Sequence, residues 1–223
     1  MNQISSIKPV HPGEQVVFRC QLCGACCRDA ENSLMLEPMD IYHLGRFLRK
    51  RGEPIEGLED VLAEYAHADL LMDCLPIFLL NTVGQEHSCV FLKDGRCDVY
   101  EARPRICRLY PFSVAPGDCG KDFLYCLCTE RPHHFTGGRV SVKDWFNQNF
   151  SKDARQFMKA DYDALPILGR AVREMGAARF KSMMFQFLFY RYYNYDLDQP
   201  FLPQFIRNTE ELKKLAVEAA KGG

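Results

Sequence analysis

Seven cysteines in two blocks carry the chemistry this sequence could do. The first block is Cys20-x-x-Cys23-x-x-Cys26-Cys27, and the second is Cys89, Cys97 and Cys107, about sixty residues further on. Thiolates at two-residue spacing converge on soft metal ions, because a tight turn aims both sulfurs at one centre while backbone N–H groups point at them. The pattern therefore predicts a metal–thiolate centre. The competing reading, a disulfide framework, is disfavoured by the adjacent pair Cys26–Cys27, which would not make a relaxed bridge. Two further cysteines, Cys74 and Cys119, stand apart from the blocks, and Cys74 sits in an apolar stretch that suits a small core residue.

The donor set can be counted further. Cys20, Cys23, Cys26, Cys27, Cys89, Cys97 and Cys107, with one of the later pair Cys126 and Cys128, make eight thiols. Eight thiols make two four-sulfur sets. Consecutive residues do not easily aim both sulfurs at one ion, so Cys26 and Cys27 are expected to serve different centres, or only one of them to bind. A four-thiolate centre carries net negative charge, and Arg28, Arg103, Arg105 and Arg108 stand beside the cysteines as counter-charges. The start C-x2-C-x2-C matches the bacterial ferredoxin run, and the second block contains no zinc knuckle. An iron–sulfur cluster, of the [4Fe–4S] type, is therefore expected, with zinc as the alternative. His133 and His134 are expected to face solvent from a polar loop.

The remaining composition excludes several classes. The chain has 223 residues, 47% of them hydrophobic, which is enough for a sizeable core. Its net charge is −1, so no general attraction to nucleic acid is expected. No run approaches the ~18 apolar residues of a membrane span. The first residues lack the apolar core of an export signal, and a cytoplasmic location follows as the expectation. No Walker loop, dinucleotide fingerprint or nucleophile elbow is present, so no reaction is assigned.

The elements that must position the cysteines can be sketched. Residues 1–19 read as an irregular lead with a strand at 15–18. A helix opens at Pro38, with Ile41, Leu44, Phe47 and Leu48 on one face. A second helix is predicted from Gly57 to about Met72. Strands follow at 75–83 and 88–92, then a hairpin turn at Lys93-Asp94-Gly95-Arg96 leading into 97–100. A helical turn fits 101–109, and weaker strands fit 123–127 and 139–142. Ser141 and Asp144 form a capping box for a helix bearing Trp145, Phe146, Phe150 and Phe157. Further helices are predicted at 165–176, at 177–193 and from Thr209 toward Lys221. The aromatic-rich stretch 176–205 reads as core packing, with Phe180, Met183, Met184, Phe187 and Tyr190 at helical spacing. The fold expected is α+β and mostly helical. Short strands and loops would hold the metal, and a helical C-terminal part would pack over it. A cysteine region at 1–140 and a helical region at 141–223 would share one compact domain.

The two blocks also resemble a known family. Cys20-x-x-Cys23-x-x-Cys26-Cys27, Cys89-x-Phe91-Leu92, Gly95-Arg96-Cys97-x-x-Tyr100-Glu101-x-Arg103-Pro104-x-x-Cys107-Arg108-x-Tyr110-Pro111-Phe112 is similar to the CxxCxxCC, or YkgJ-type, cysteine-cluster family. The likeness covers roughly residues 16–145. It implies zinc or iron chelation and one more cysteine before the glycine step at Gly137-Gly138. Cys128 best fills that place, although the family's usual Cys-Pro-Gly is here Cys128-Thr129-Glu130. A redox or metal-client protein would be the partner. Larger proteins with similar clusters are flagellin lysine methylases, so a methylase-like role is a third reading.

Overall fold

The computed structural model describes residues 7–71, 75–117 and 123–221. Cys74 and Cys119 lie outside these residues. Helix outweighs strand, and the strands are short and distributed over five small sheets.

The chain begins with β1 (Ile7–Val10) and β2 (Gln15–Val17), of which only the second was anticipated. After the first cysteine block come β3 (Met35–Leu36) and α1 (Pro38–Lys50). Pro38 starts α1 at a position where the missing N–H costs nothing, and buried Asp40 accepts the Glu37 N–H at 3.3 Å. The next helix, α2 (Leu58–Tyr65), stops seven residues short of the predicted Met72. Residue 66 is extended, and β4 (Ala66–Leu71) pairs antiparallel with β5 (Leu75–Leu80). Six cross-strand residue pairs outweigh the local helical preference of this segment.

Two short hairpins follow. In the first, β6 (Thr82–Val83) pairs with β7 (Ser88–Cys89). In the second, β8 (Leu92–Lys93) pairs with β9 (Arg96–Cys97), and Asp94 and Gly95 at the turn both have positive φ, as expected. Then come α3 (Arg105–Leu109), β10 (Phe112–Pro116), β11 (Phe123–Cys128), β12 (Arg139–Ser141) and α4 (Val142–Asn149). Ser141 Oγ accepts the Asp144 N–H at 3.3 Å, the predicted cap. Phe157 belongs to the next helix, α5 (Lys152–Glu174), which runs through Pro166 instead of starting beside it. α6 (Ala177–Leu188) continues into a π-turn at Phe189–Tyr193, and α7 (Phe201–Lys221) starts eight residues before Thr209, with Pro203 in its first turn.

These elements form two compact units that interleave along the chain. The first comprises residues 1–31 and 82–152, the second 32–81 and 153–223. In the first unit, β1, β11 and β10 form an antiparallel sheet. Phe123, Tyr125 and Leu127 share one face of β11. Tyr125 meets Phe146 of α4 at 4.4 Å, and Phe123 meets Phe150 at 5.6 Å. Val10, Phe112 and Val114 complete this buried layer. Cys126 and Cys128 therefore occupy the other face of β11.

In the second unit, Ile41, Leu44 and Leu48 of α1 are buried with Val61 and Leu62 of α2. The aromatic stretch packs here too. Met183 and Phe187 join Leu168, Val172 and Leu212 in one cluster, with Phe180 and Tyr190 against it. Arg191 forms a two-pronged pair with Asp161, at 2.6 and 3.0 Å, in nearly complete burial.

Candidate metal centre

The first cysteine block is a loop of tight turns. Gly24 and Leu22 take positive φ, and residues 25–27 form one 3-10 turn in which the Cys27 N–H bonds to the Gly24 carbonyl at 2.9 Å. This loop lies on the β8–β9 hairpin. A Cβ on Gly24 would fall 2.7 Å from Leu92 Cδ1 and 2.8 Å from the Gly95 carbonyl oxygen. The chain leaves the first unit after Glu31 and re-enters at Thr82. Exit and re-entry are tied by Asp29 N–H to Glu86 O and Ala30 N–H to His87 O, both 3.0 Å. Sixty residues of sequence separation thus become direct contact between the two blocks.

Five thiols from both blocks feel one another's charge as a result. Cys27 interacts electrostatically with Cys26, Cys89 and Cys107, and Cys89 and Cys97 interact with Cys26. None of the nine described cysteines is in a disulfide. Cys89 receives the N–H of Phe91, and Cys97 receives that of Val99. An N–H two residues on, aimed at sulfur, is the backbone arrangement that supports a bound thiolate. Without a metal, burial outweighs it: Cys89 is pushed up to about 11, and Cys97 is raised for the same reason.

Cys26 and Cys27 behave as a pair. Their sulfurs are 3.9 Å apart, near the ~3.8 Å edge expected for two thiolates on one tetrahedral zinc ion. The sequence reading allows these neighbours to serve different centres or only one of them to bind. Both lie in the same 3-10 turn. The Cys27 thiol bonds to Cys26, which holds Cys26 well below an ordinary thiol and raises Cys27. Arg103 and Arg131 lower Cys26 further through their charge, and Arg103 does the same for Cys97. Arg103 was expected in this role, held here over the Tyr100 ring at 3.6 Å. Arg131 was not, because nothing local marks it. It reaches back to the Arg28 carbonyl at 3.0 Å and to Asp29 at 3.1 Å. Arg28 itself pairs with Glu86 and with the Cys23 carbonyl.

The remaining sequence-selected residues are distributed around this set. Cys128 closes β11, its N–H on the Pro111 carbonyl at 2.8 Å, and Tyr110 interacts electrostatically with both Cys128 and Cys26. Cys126 sits two residues away, opposite Ser113 and Pro9. Cys20 is exposed, between Arg19, whose N–H bonds to the His134 carbonyl, and Gln21, whose amide bonds to the His133 carbonyl. Cys23 lies beside two imidazoles. Its sulfur lies 3.2 Å from His134 Nε2 and 3.6 Å from His133 Nε2.

The expectation that both histidines face solvent is corrected for His134, which is only 3% exposed. Phe18 and Tyr110 pack edge-on against its ring, and Tyr110 Oη is 2.9 Å from its Nδ1. Burial holds His134 below the usual histidine range, helped by His133 and Arg131. The pair lies in a 3-10 turn after Pro132, and the flanking Phe135 was the one sequence sign that this loop is anchored. Trp145 completes the anchor, 5.4 Å from Phe18 with its Nε1–H on the Leu109 carbonyl.

Thiols that interact across the two blocks, backbone N–H groups on two sulfurs and two guanidinium charges fit a thiolate-bound metal. Arg108 Nε, next to Cys107, adds a buried donor with no acceptor among the described residues.

The CxxCxxCC family model, described as "putative zinc- or iron-chelating domain", matches residues 19–129. The chain belongs to this family. Its match spans both cysteine blocks and ends one residue past Cys128. No curated protein and no solved structure matches the chain. Among the described residues, no helix is long and apolar enough to cross a membrane.

Proposed function

We propose that this CxxCxxCC protein carries an iron–sulfur cluster in a redox or electron-transfer role. Four of the five clustered thiols, Cys89, Cys97, Cys107 and one of Cys26 or Cys27, would hold it. The observation that supports this reading is that thiols of the two blocks interact electrostatically, Cys27 with Cys89 and Cys107, and Cys26 with Cys89 and Cys97. Soft thiolates suit iron–sulfur chemistry, and such a cluster supplies one-electron transfer when bound. The protein's own residues do the rest. Arg103 and Arg131 offset the negative charge, and the Phe91 and Val99 N–H groups stabilise sulfur charge, which raises the potential. A redox or metal-client protein in the cytoplasm, where these thiols stay reduced, is the partner this reading requires.

A second reading is a zinc-stabilised binding or metal-handling module without turnover. It is favoured by the 3.9 Å edge between Cys26 and Cys27, which suits one ion better than a cubane that takes one cysteine per iron. Anaerobic purification with analysis of iron, zinc and acid-labile sulfide separates the two. The first reading expects iron and sulfide in equal amounts and a brown, oxidation-sensitive protein. A colourless protein containing zinc alone would overturn it in favour of the second.

A further inference from the structure

The Cys23–His133–His134 group is not part of the all-thiol set, and its geometry calls for a separate account. Three donor atoms of mixed type, one sulfur and two imidazole nitrogens, lie within 4.8 Å of one another. The two sulfur–nitrogen distances are 3.2 and 3.6 Å. Bond lengths of about 2.3 Å to sulfur and 2.0–2.1 Å to nitrogen put the edge of a tetrahedral zinc site at about 3.6 Å. The donors already stand at the spacing that one small ion would impose.

The surroundings hold each donor from outside. Tyr110 Oη bonds to His134 Nδ1 at 2.9 Å, so accepting the Nδ1–H would leave the Nε2 lone pair directed at the sulfur. The His134 and His133 carbonyls are fixed by the Arg19 N–H at 3.0 Å and the Gln21 amide at 2.8 Å, both from the loop that carries Cys23. His134 is buried, Cys23 is half-buried and His133 is exposed, so the group opens to solvent on one side. Three protein ligands with one open side is the arrangement of an exchangeable zinc site, whereas closed structural sites use four.

We propose that Cys23, His133 and His134 form a second metal site, specific for a zinc-type divalent ion, with its fourth position open to water or an incoming ligand. A mixed set of one thiolate and two imidazoles suits zinc, whereas an all-thiolate set suits iron–sulfur chemistry. The protein would then hold two chemically different centres side by side in one unit. The open position gives the ion a place to bind a small anion or a client's donor group.

The test is titration of the full-length protein with Co2+ under anaerobic conditions, reading sulfur-to-cobalt charge transfer and the ligand-field band. The parent, His133→Ala and Cys97→Ser proteins are compared. His133 is exposed, so its loss leaves the fold in place. Removing a direct ligand should exceed the 10–100-fold cost of losing an outer partner, so His133→Ala weakens this cobalt ion by more than about 100-fold. Cys97→Ser keeps it. Tyr110→Phe weakens it by about 10–100-fold. Unchanged cobalt affinity and spectrum in His133→Ala would overturn the site. So would rapid alkylation of Cys23 at saturating metal, the behaviour of a thiol–imidazole pair. If Cys97→Ser also keeps the parent's total metal content, every ion included, while His133→Ala loses this one, the thiol centre is contradicted and this site stands.

Discussion

Gly24 couples the two cysteine blocks. Its φ of +68° and its position against Leu92 and Gly95 exclude a side chain, because a Cβ would meet the hairpin backbone. Left-handed backbone alone costs a non-glycine residue about 1–2 kcal/mol. Gly24→Ala is therefore expected to destabilise the protein by at least that amount and to lower its metal content, measured by denaturant unfolding and elemental analysis. Parent-like stability with full metal would contradict the packing. At this scale much was legible. The cysteines and Arg103 declare themselves by type and spacing. The burial of His134 and the reach of Arg131 were not legible, because Phe18, Tyr110 and Asp29 lie far away in sequence.

Individual elements show which local signals decide and which yield. Asp60 accepts the N–H groups of Glu56 at 2.7 Å and Gly57 at 3.0 Å, fixing the start of α2. These bonds hold its carboxyl below the usual carboxylate range. A depressed acid contributes stability that is fully present above its unfolded value of about 3.9 and is lost as pH falls through its lower folded value. The gap in melting temperature between parent and Asp60→Ala should thus be constant above about pH 5 and close in stronger acid. A gap independent of pH would show that the cap acts by shape alone. In the π-turn after α6, Arg191 depends on Asp161. Asp161→Asn leaves a buried guanidinium without its counter-charge and should cost about 3–5 kcal/mol in urea unfolding. A loss below about 1 kcal/mol would contradict the pairing. The Ser141 cap and the Asp94–Gly95 turn were readable because each is complete within four residues. The end of α2, the start of α7 and the uninterrupted course of α5 past Pro166 were not. Strand pairing with β5 ends α2, and the other two rest on prolines that the helices tolerate.

At the scale of the molecule, the units are assembled from non-contiguous chain. Residues 32–81 form part of the second unit, and their removal from the first brings Glu31 and Thr82 into the same neighbourhood. A local reading of hydrophobic periodicity cannot show this, since each helix and strand looks the same whichever unit it joins. The two cysteine blocks did carry the information in one respect: neither alone supplies two complete four-sulfur sets. A metal that joins them closes a long loop and constrains the unfolded chain. One centre is expected to draw on both blocks. The most direct measurement is metal content per chain in two double variants, Cys26→Ser with Cys27→Ser, and Cys89→Ser with Cys107→Ser. Both are expected to lose the same metal, in the same amount, while the cobalt-binding Cys23–His133–His134 group persists. Full retention of that metal when either block is disabled would contradict the bridged centre.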